Sequence, residues 1–389
     1  METNNELEAI ICRDEHGGRF AAPGDQRSVL NVSVLNALEC LRTKCQFASQ
    51  QLYVNNRRPV YADFLWHSSL NGFAYATPVG ATPKFDFVGI HVGTILTLQD
   101  IFGRILSHPE NFPDLGDASK EASTRSHIPF LFTNFLEQGH SYCTPLDRTR
   151  HHFAGILFYN ALNYLIFHEI GHLIAGHAEF KRSLNNNDHS IATASSGFSN
   201  LTSQALEMDA DCFAIYCAIN EAYRARDGMR NFLAMNPRPK APMDTEAQKA
   251  GEYSLRSNKS LVQGVCFSVY VFFRIFDCQC WDLVNPTQYT HPQPPIRQHW
   301  IIQTIENLFR TNTKYDYAPD EFAKDVVETI MLAERACANI QNAEPDYRGI
   351  LSVFNAESNE REYLASVKNE YNRIRPILNV YKRAKSLPA

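Results

Sequence analysis

The sequence predicts an α+β protein, with a small β-sheet in the N-terminal part and a mostly helical remainder. The clearest alternating apolar segment is Phe85 to Val92, which is rich in β-forming residues and predicts a strand. Longer segments with apolar residues at helical spacing follow it, and Leu261 to Phe276 is strongly apolar. A β-containing first part followed by helices is typical of the α+β class.

The N-terminal part also contains two predicted helices, one on each side of the strand. Apolar residues recur at helical spacing in Ser28 to Val54 and again in Gly93 to Leu106. Residues 107–146 are rich in Pro, Asp and Ser, so we expect loops around a short element at Phe130–Phe135.

The remaining chain is predicted to be helical with polar interruptions. A long helix is expected at 151–182 and a second at 201–224. The polar segments 183–203 and 226–258 are interpreted as a mobile loop and an excursion that together cover a cleft. The elements divide the chain into three parts: a mixed α/β part at 1–110, a core at 111–300 and a helical C-terminal region at 301–389.

Composition restricts the classes of function. The chain has 389 residues with 37 basic and 42 acidic side chains, so it lacks the positive charge expected of a nucleic-acid-binding protein. Its apolar runs at 153–167 and 261–276 are shorter than the roughly 18–20 residues of a membrane span, and polar residues interrupt both. The ten cysteines form no Cys-x-x-Cys pair, and the N-terminal sequence lacks a secretory signal. We therefore expect reduced thiols, a cytoplasmic location and no membrane partner.

The residues His168-Glu169-Ile170-Gly171-His172 lie within the long apolar helix and predict a metal site. Residues four apart on a helix are separated by about 40°, so His168 and His172 point the same way. Two imidazoles at this spacing bind one Zn²⁺, and Glu169 is then placed as the base for a water molecule. Burying this polar group in an apolar helix is costly unless its members have partners, which favours a zinc site over incidental histidines.

The third ligand is expected from Glu207-Met208-Asp209-Ala210-Asp211 on the next apolar helix. Glu207 and Asp211 share one face, so Glu207 is predicted to complete the ligand set and Asp211 to orient a histidine ligand. Asp209 is expected to point away. His177 lies about 140–180° around the helix from the histidine pair, so a surface or capping role is predicted for it. His189 is a minor candidate, because ligands are usually held on rigid elements.

These motifs resemble a known group of enzymes. The segment HEIGHLIAGH with a downstream Glu-x-x-x-Asp is similar to the gluzincin metallopeptidases, in which a glutamate on a separate helix is the third zinc ligand. The segment Thr290 to Arg297 is similar to the His-Pro-x-x-x-x-Arg segment of the CAAX prenyl protease and heat-shock membrane protease family. This resemblance implies a place near substrate for His291 or Arg297, where a donor facing the zinc would stabilise an oxyanion. The equally weighted alternative is a turn histidine in a proline-rich loop.

The resemblance covers residues 157–217 and 290–297, and the spanning helices of the membrane family are not evident. It therefore implies a soluble relative, such as the phage-exclusion peptidases or the metallopeptidases that cleave repressors. The expected function is zinc-dependent hydrolysis of peptide bonds in intracellular proteins. The Phe85–Val92 strand is a candidate edge to which an extended substrate adds. An ordinary core strand is the favoured alternative for that segment. For the whole protein the alternatives are a non-catalytic zinc-stabilised binding protein and a membrane-associated protease.

Overall fold

A computed structural model describes most of the chain. The described residues are 7, 9–10, 16–19, 32–53, 58–77, 84–128, 142–185, 199–235, 245–276, 286–312, 315, 317–347 and 358–384. Within them a single three-stranded sheet lies near the N-terminus and helices form the rest, which confirms the α+β class. The predicted element at Phe130–Phe135 and the histidine His189 lie outside the described residues.

The sheet consists of β1 (Val60–Leu65), β2 (Gly72–Ala76) and β3 (Asp86–His91), in the order β1-β3-β2. β3 runs parallel to β1 and antiparallel to β2, and all six of its residues are buried. Both sides of its backbone are already paired, so the hypothesis of an exposed edge at Phe85–Val92 is wrong, and the favoured alternative, an ordinary core strand, is confirmed. β2 is one of the two outer strands.

One described α-helix precedes the sheet in the sequence, a second follows β3 directly, and the others come later. In chain order the described α-helices are α1 (Val32–Phe47), α2 (Val92–Ser107), α3 (Ser123–Ser126), α4 (Arg148–Ile174), α5 (His177–Asn185), α6 (Asn200–Met235), α7 (Thr245–Leu255), α8 (Asn258–Phe276), α9 (Pro294–Thr311), α10 (Pro319–Gln341) and α11 (Ser358–Leu378). A π-helical turn at Ala48–Leu52 extends α1, and short 3₁₀ turns occur at Ala118–Lys120 and Pro286–Gln288.

Helix α4 is the centre of the fold, since it packs against α2, α6, α7, α8 and the outer strand β2. Asp147 caps its N-terminus by accepting a hydrogen bond from the backbone N–H of Arg150 at 3.1 Å. The helix carries 19 buried residues, and they include every position from Tyr164 to Ile174. Any polar side chain in that last stretch must therefore find its partners inside the protein.

Arg150, in the first turn of α4 and away from the predicted site, is an example of a buried charged side chain that finds its partners inside the protein. Its side chain is fully buried, and its guanidinium donates five hydrogen bonds to backbone carbonyls at distances between 2.6 and 3.1 Å. These carbonyls belong to Leu106, His108, Asn111, Phe112 and Leu115. One side chain thus fixes the irregular segment after α2 against the start of α4, because all five donors of the fork are used.

The C-terminal end of α4 is set by Gly176. This residue has φ +81°, a left-handed conformation that glycine adopts without steric cost. A Cβ placed there would also lie 2.5 Å from the carbonyl carbon of Tyr381, so the C-terminal segment passes directly over the helix end. The predicted helix at 151–182 is therefore divided into α4 and α5, with a change of direction between them.

Three further expectations need correction. The helix predicted at 201–224 extends to Met235. The segment 226–258 is not an excursion, because its described part includes α7, which packs against α4 and α8 and buries Ala250, Gly251 and Ser254. The expected loop at 290–297 ends at Gln293, and Arg297 lies in the first turn of α9.

A cluster of three histidines lies where β1 and β3 end. His91 is buried, and its ring lies 4.7 Å from that of His67 between ring centroids. Its Nε2 atom lies 3.1 Å from Nδ1 of His16, and its Nδ1 atom lies 2.8 Å from the hydroxyl of Ser69. Burial first, and then the two neighbouring histidines, lower the pKa of His91 to about 4. The folded protein therefore holds His91 neutral.

Two general expectations can be compared with the described chain. Among the described residues, no helix has the length and apolar character required to cross a membrane. The cysteines described as free thiols are Cys40, Cys45, Cys143, Cys212, Cys217, Cys266 and Cys337.

Candidate metal centre

The predicted site forms where α4 and α6 come into close contact. Gly171 makes this approach possible, since a Cβ on it would lie 3.0 Å from Cδ1 of Phe213 and 3.4 Å from Cα of Ala210. The absence of a side chain at Gly171 brings α6 against the face of α4 that carries the two histidines. Glu207 and Asp211, on either side of Ala210 in the sequence, are thereby directed at His168 and His172.

His168, His172 and Glu207 converge on one point. The Nε2 atoms of the two histidines are 3.1 Å apart. The carboxylate oxygens of Glu207 lie 3.2 Å from Nε2 of His168 and 3.4 Å from Nε2 of His172. All three side chains are buried, and in the described part of the chain theirs is the only group of three or more His, Cys, Asp or Glu residues whose ligand atoms all lie within 4.8 Å of one another. Two imidazole nitrogens and a carboxylate oxygen are a three-ligand set that suits Zn²⁺ and leaves a fourth position open.

The second nitrogen of His168 faces Asp211, at 2.9 Å from Oδ1. Asp211 is completely buried and also accepts a hydrogen bond from the hydroxyl of Tyr164 at 2.6 Å. Arg297 donates to both of its oxygens, from Nη2 to Oδ1 at 2.7 Å and from Nε to Oδ2 at 2.8 Å. Burial by itself raises the pKa of Asp211, but Arg297 and His168 outweigh it and lower the pKa below its ordinary value. Asp211 is thus an anion that fixes the ring of His168.

The electrostatics of the ligand group, which consists of His168, His172 and Glu207, favour a cation at its centre. Burial alone lowers the pKa of His168, but Asp211 and Glu207 outweigh it and raise the pKa to about 9. Burial lowers the pKa of His172 to about 3, against the opposing influence of Glu207. The metal-free site therefore places one proton on His168, whose Nε2 donates towards the neutral His172. A divalent metal ion at this point would displace that proton and bring one further positive charge to a site that the carboxylates of Glu207 and Asp211 already face.

Glu169 is buried beside the ligands, and burial raises its pKa to about 7. Its carboxylate approaches the outer strand of the sheet, because a Cβ built on Gly72 would lie 3.3 Å from Glu169 Oε1. Gly72 is the first residue of β2, which packs against α4. The side chain predicted to act as a base therefore adjoins both the ligand His168, its neighbour in the sequence, and the first residue of β2.

The two residues of the His-Pro-x-x-x-x-Arg segment have different surroundings. The side chain of His291 is 63% exposed, and its Nε2 atom lies 3.7 Å from Oε1 of Glu207. Arg297 is largely buried, with its guanidinium carbon 4.8 Å from the ring centroid of Phe273 and its hydrogen bonds directed at Asp211. His291 thus lies at the solvent side of the ligand group, whereas Arg297 supports it from behind. Lys181, which the sequence reasoning did not consider, contacts Glu207 Oε1 at 3.4 Å.

His177 was misjudged from the sequence. It is not at the surface, since its side chain is fully buried, and its Nδ1 atom lies 3.1 Å from Nδ1 of His172. Its other ring nitrogen, Nε2, lies 3.2 Å from a carboxylate oxygen of Asp209. Asp209 does point away from the ligand group, as the spacing predicts, but it does so towards His177. The sequence signal that was available is Gly176, which marks a helix end before His177.

Comparisons of the chain with protein-family models, with curated proteins and with solved structures find no match. The arrangement of the site therefore has to support any statement about function by its own chemistry.

Proposed function

We propose that this protein is a zinc-dependent metalloendopeptidase of the gluzincin type. The observation that carries the proposal is the buried convergence of His168, His172 and Glu207, with Glu169 beside them. The two histidines occupy neighbouring turns of one helix and the carboxylate comes from another, which is the arrangement that the resemblance implies. A purely structural site would not need a buried glutamate of raised pKa next to its ligands.

Zn²⁺ is the proposed cofactor, because the donor set combines two neutral nitrogens with one carboxylate. When bound, zinc would polarise the scissile carbonyl and acidify a water molecule. Glu169 would take the proton from that water and pass it to the leaving amine, a role that suits a carboxyl group with a pKa of about 7. Asp211, held by Arg297 and Tyr164, would keep the ring of His168 in place.

The proposed substrate is a protein or peptide in extended conformation. β2 is an outer strand whose first residue, Gly72, adjoins Glu169. An extended peptide that pairs with this strand would pass the carboxylate of Glu169 with its backbone in reach. His291, at the exposed side of the ligand group, would donate to an oxyanion on the substrate, and its distance of 3.7 Å from Glu207 supports this role. Arg297 would contribute through Asp211, which it contacts directly.

We further propose that the enzyme acts in the cytoplasm on one or a few proteins, in regulation or phage defence, without a nucleic-acid or membrane partner. The excess of acidic over basic residues supports one part of this proposal, the absence of a nucleic-acid partner.

The test is Glu169→Gln, with Glu362→Gln at an exposed position as the matched control. Purified wild type and variants are loaded with zinc, and new N-termini are counted in a proteome digest. We expect Glu169→Gln to keep its fold and zinc while cleavage falls at least about 100-fold, the typical contribution of a general base. The control should cleave like the wild type. Equal sets of N-termini for wild type and Glu169→Gln would contradict the peptidase proposal and favour a zinc-stabilised binding protein.

A further inference from the structure

His177 and Asp209 form a polar chain behind the second histidine ligand. Helix α4 ends at Ile174, and the turn at Gly176 redirects the chain so that His177, the first residue of α5, faces back towards His172. The rings of His172 and His177 have centroids 5.2 Å apart at an interplanar angle of 69°. Their Nδ1 atoms are 3.1 Å apart, which is a hydrogen-bonding distance.

Asp209 fixes the far side of His177. One of its oxygens lies 3.2 Å from His177 Nε2, and it also accepts a hydrogen bond from Tyr371 of α11. The carboxylate of Asp209 is thus contacted by side chains of two other helices, α5 and α11.

We propose that His177 is a positioning residue that orients the metal ligand His172 through a directed chain of hydrogen bonds. This inference rests on the zinc site of the proposed function. The Nε2 atom of His172 belongs to the ligand group, so its proton resides on Nδ1 and is donated to Nδ1 of His177. His177 then carries its proton on Nε2 and donates it to Asp209. With Nε2 of His172 in the ligand group, only this assignment of protons gives each donor among His172 and His177 an acceptor.

The two ligands would then differ in their support. The Nδ1 atom of His168 lies directly against a carboxylate, that of Asp211, whereas His172 would donate to a neutral imidazole whose carboxylate lies one ring further away. His177 should therefore fix the orientation of His172 without making it as electron-rich as His168. Through Asp209, this series of hydrogen bonds also connects the ligand group to Tyr371 on helix α11.

The first experiment compares His177→Asn with His177→Leu, two side chains of similar size. The amide oxygen of Asn can take the place of Nδ1 as an acceptor, whereas Leu cannot. Zinc affinity is measured by competition with a chromophoric chelator, and the geometry of the ligands by the visible absorption of the Co²⁺-substituted protein. His151→Leu, on the exposed start of α4, is the control. Thermal unfolding of each metal-free protein shows that it is folded.

We expect His177→Leu to weaken zinc binding about 10–100-fold and to change the Co²⁺ spectrum, the usual effect of losing a partner of a metal ligand. His177→Asn should stay within a few-fold of the wild type, and the control should be unchanged. Equal zinc affinity and identical Co²⁺ spectra for wild type and His177→Leu would overturn the inference. By contrast, a His168→Ala variant that still binds zinc like the wild type would overturn the metal site itself.

A second measurement needs no variant. Histidine ring nitrogens of the zinc-loaded wild-type protein are observed by ¹⁵N NMR, which distinguishes Nδ1–H from Nε2–H tautomers. We expect His172 in the Nδ1–H form and His177 in the Nε2–H form. A His177 ring protonated on Nδ1 would overturn the proposed direction of the chain, even if His177→Leu proves unable to fold.

Discussion

Replacing Asp211 with Asn tests the support of the site most directly, because the change keeps the shape of the side chain and removes its charge. Oδ1 of Asp211 accepts hydrogen bonds from Tyr164 and Arg297 and lies 2.9 Å from Nδ1 of His168, and Oδ2 accepts from Nε of Arg297. The amide oxygen of Asn best replaces Oδ1, which retains three contacts. Its NH₂ group then faces the Nε–H of Arg297, donor against donor.

The expected cost follows from these contacts. One hydrogen bond to a charged group is lost, which corresponds to about 1.5–3 kcal/mol. Arg297 also loses its main counter-charge while buried, and breaking such a pair typically destabilises by about 3–5 kcal/mol in total. Glu207 remains 3.6 Å from Nη2 of Arg297 and offsets part of this loss. We therefore expect the metal-free variant to be about 3 kcal/mol less stable than the wild type.

Urea unfolding of the chelator-treated proteins measures this difference without any contribution from metal. Asp227→Asn is the control, since this side chain lies on the same helix and is 51% exposed; its effect should be within about 0.5 kcal/mol. Zinc affinity of Asp211→Asn should also fall about 10–100-fold. If the metal-free Asp211→Asn protein unfolds within about 1 kcal/mol of the wild type, the assignment of Asp211 as a buried, charged anchor is refuted.

Two other predictions concern the framework around the site. Arg150→Lys leaves at most three donors for five carbonyls, so urea unfolding should show a loss of stability of at least about 2 kcal/mol. The control Arg148→Lys, at an exposed position, should leave the stability unchanged. Equal stability of Arg150→Lys and the wild type would contradict the fork geometry. His91 has a pKa of about 4 when folded and about 6.5 when unfolded, so its stabilising contribution is complete above pH 6.5 and is lost as the pH falls towards 4. His91→Gln should flatten the dependence of the urea midpoint on pH in this window, and an unchanged slope would show that another group titrates there.

The part of the site that could be predicted from sequence is the part that helix geometry determines locally. His168 and His172 share one face of α4 wherever that helix lies in the fold, and Glu207 and Asp211 share one face of α6 in the same way. That these two faces meet was an inference from the cost of burying polar groups in apolar helices. The close approach at Gly171 shows how the two helices come into contact. A single glycine in a helix, however, does not indicate which other helix will pack against it.

His177 was misplaced because its direction was calculated for an uninterrupted helix. The left-handed turn at Gly176 invalidates that calculation and directs the ring inward. A glycine that is followed by a polar residue near the end of an apolar pattern is a helix-termination signal. In this sequence it indicates that the helix ends before His177. Its conformation depends in part on the overlying Tyr381, about 200 residues later in the chain, which local patterns do not reveal.

The sheet was predicted only in part for a similar reason. The alternating pattern of β3 was visible, but whether a strand is central or at an edge depends on its pairing with β1 and β2. The pairing is non-local, and the short β2 carries a weak pattern in which Gly72 opens the strand. Helix α7 was missed because its sequence is mostly polar, although the residues it buries are small enough to pack closely.

The ligand group combines a local pair with a distant partner, and this affects how metal and folding are coupled. His168 and His172 are four residues apart, whereas Glu207 follows His172 by 35 residues. A transient helical turn in the denatured chain is enough to bring the two imidazoles together, but the carboxylate joins them only after a long loop closes. The denatured chain will therefore retain weak affinity for metal, and saturating metal will raise the unfolding temperature by less than the affinity of the native site alone implies.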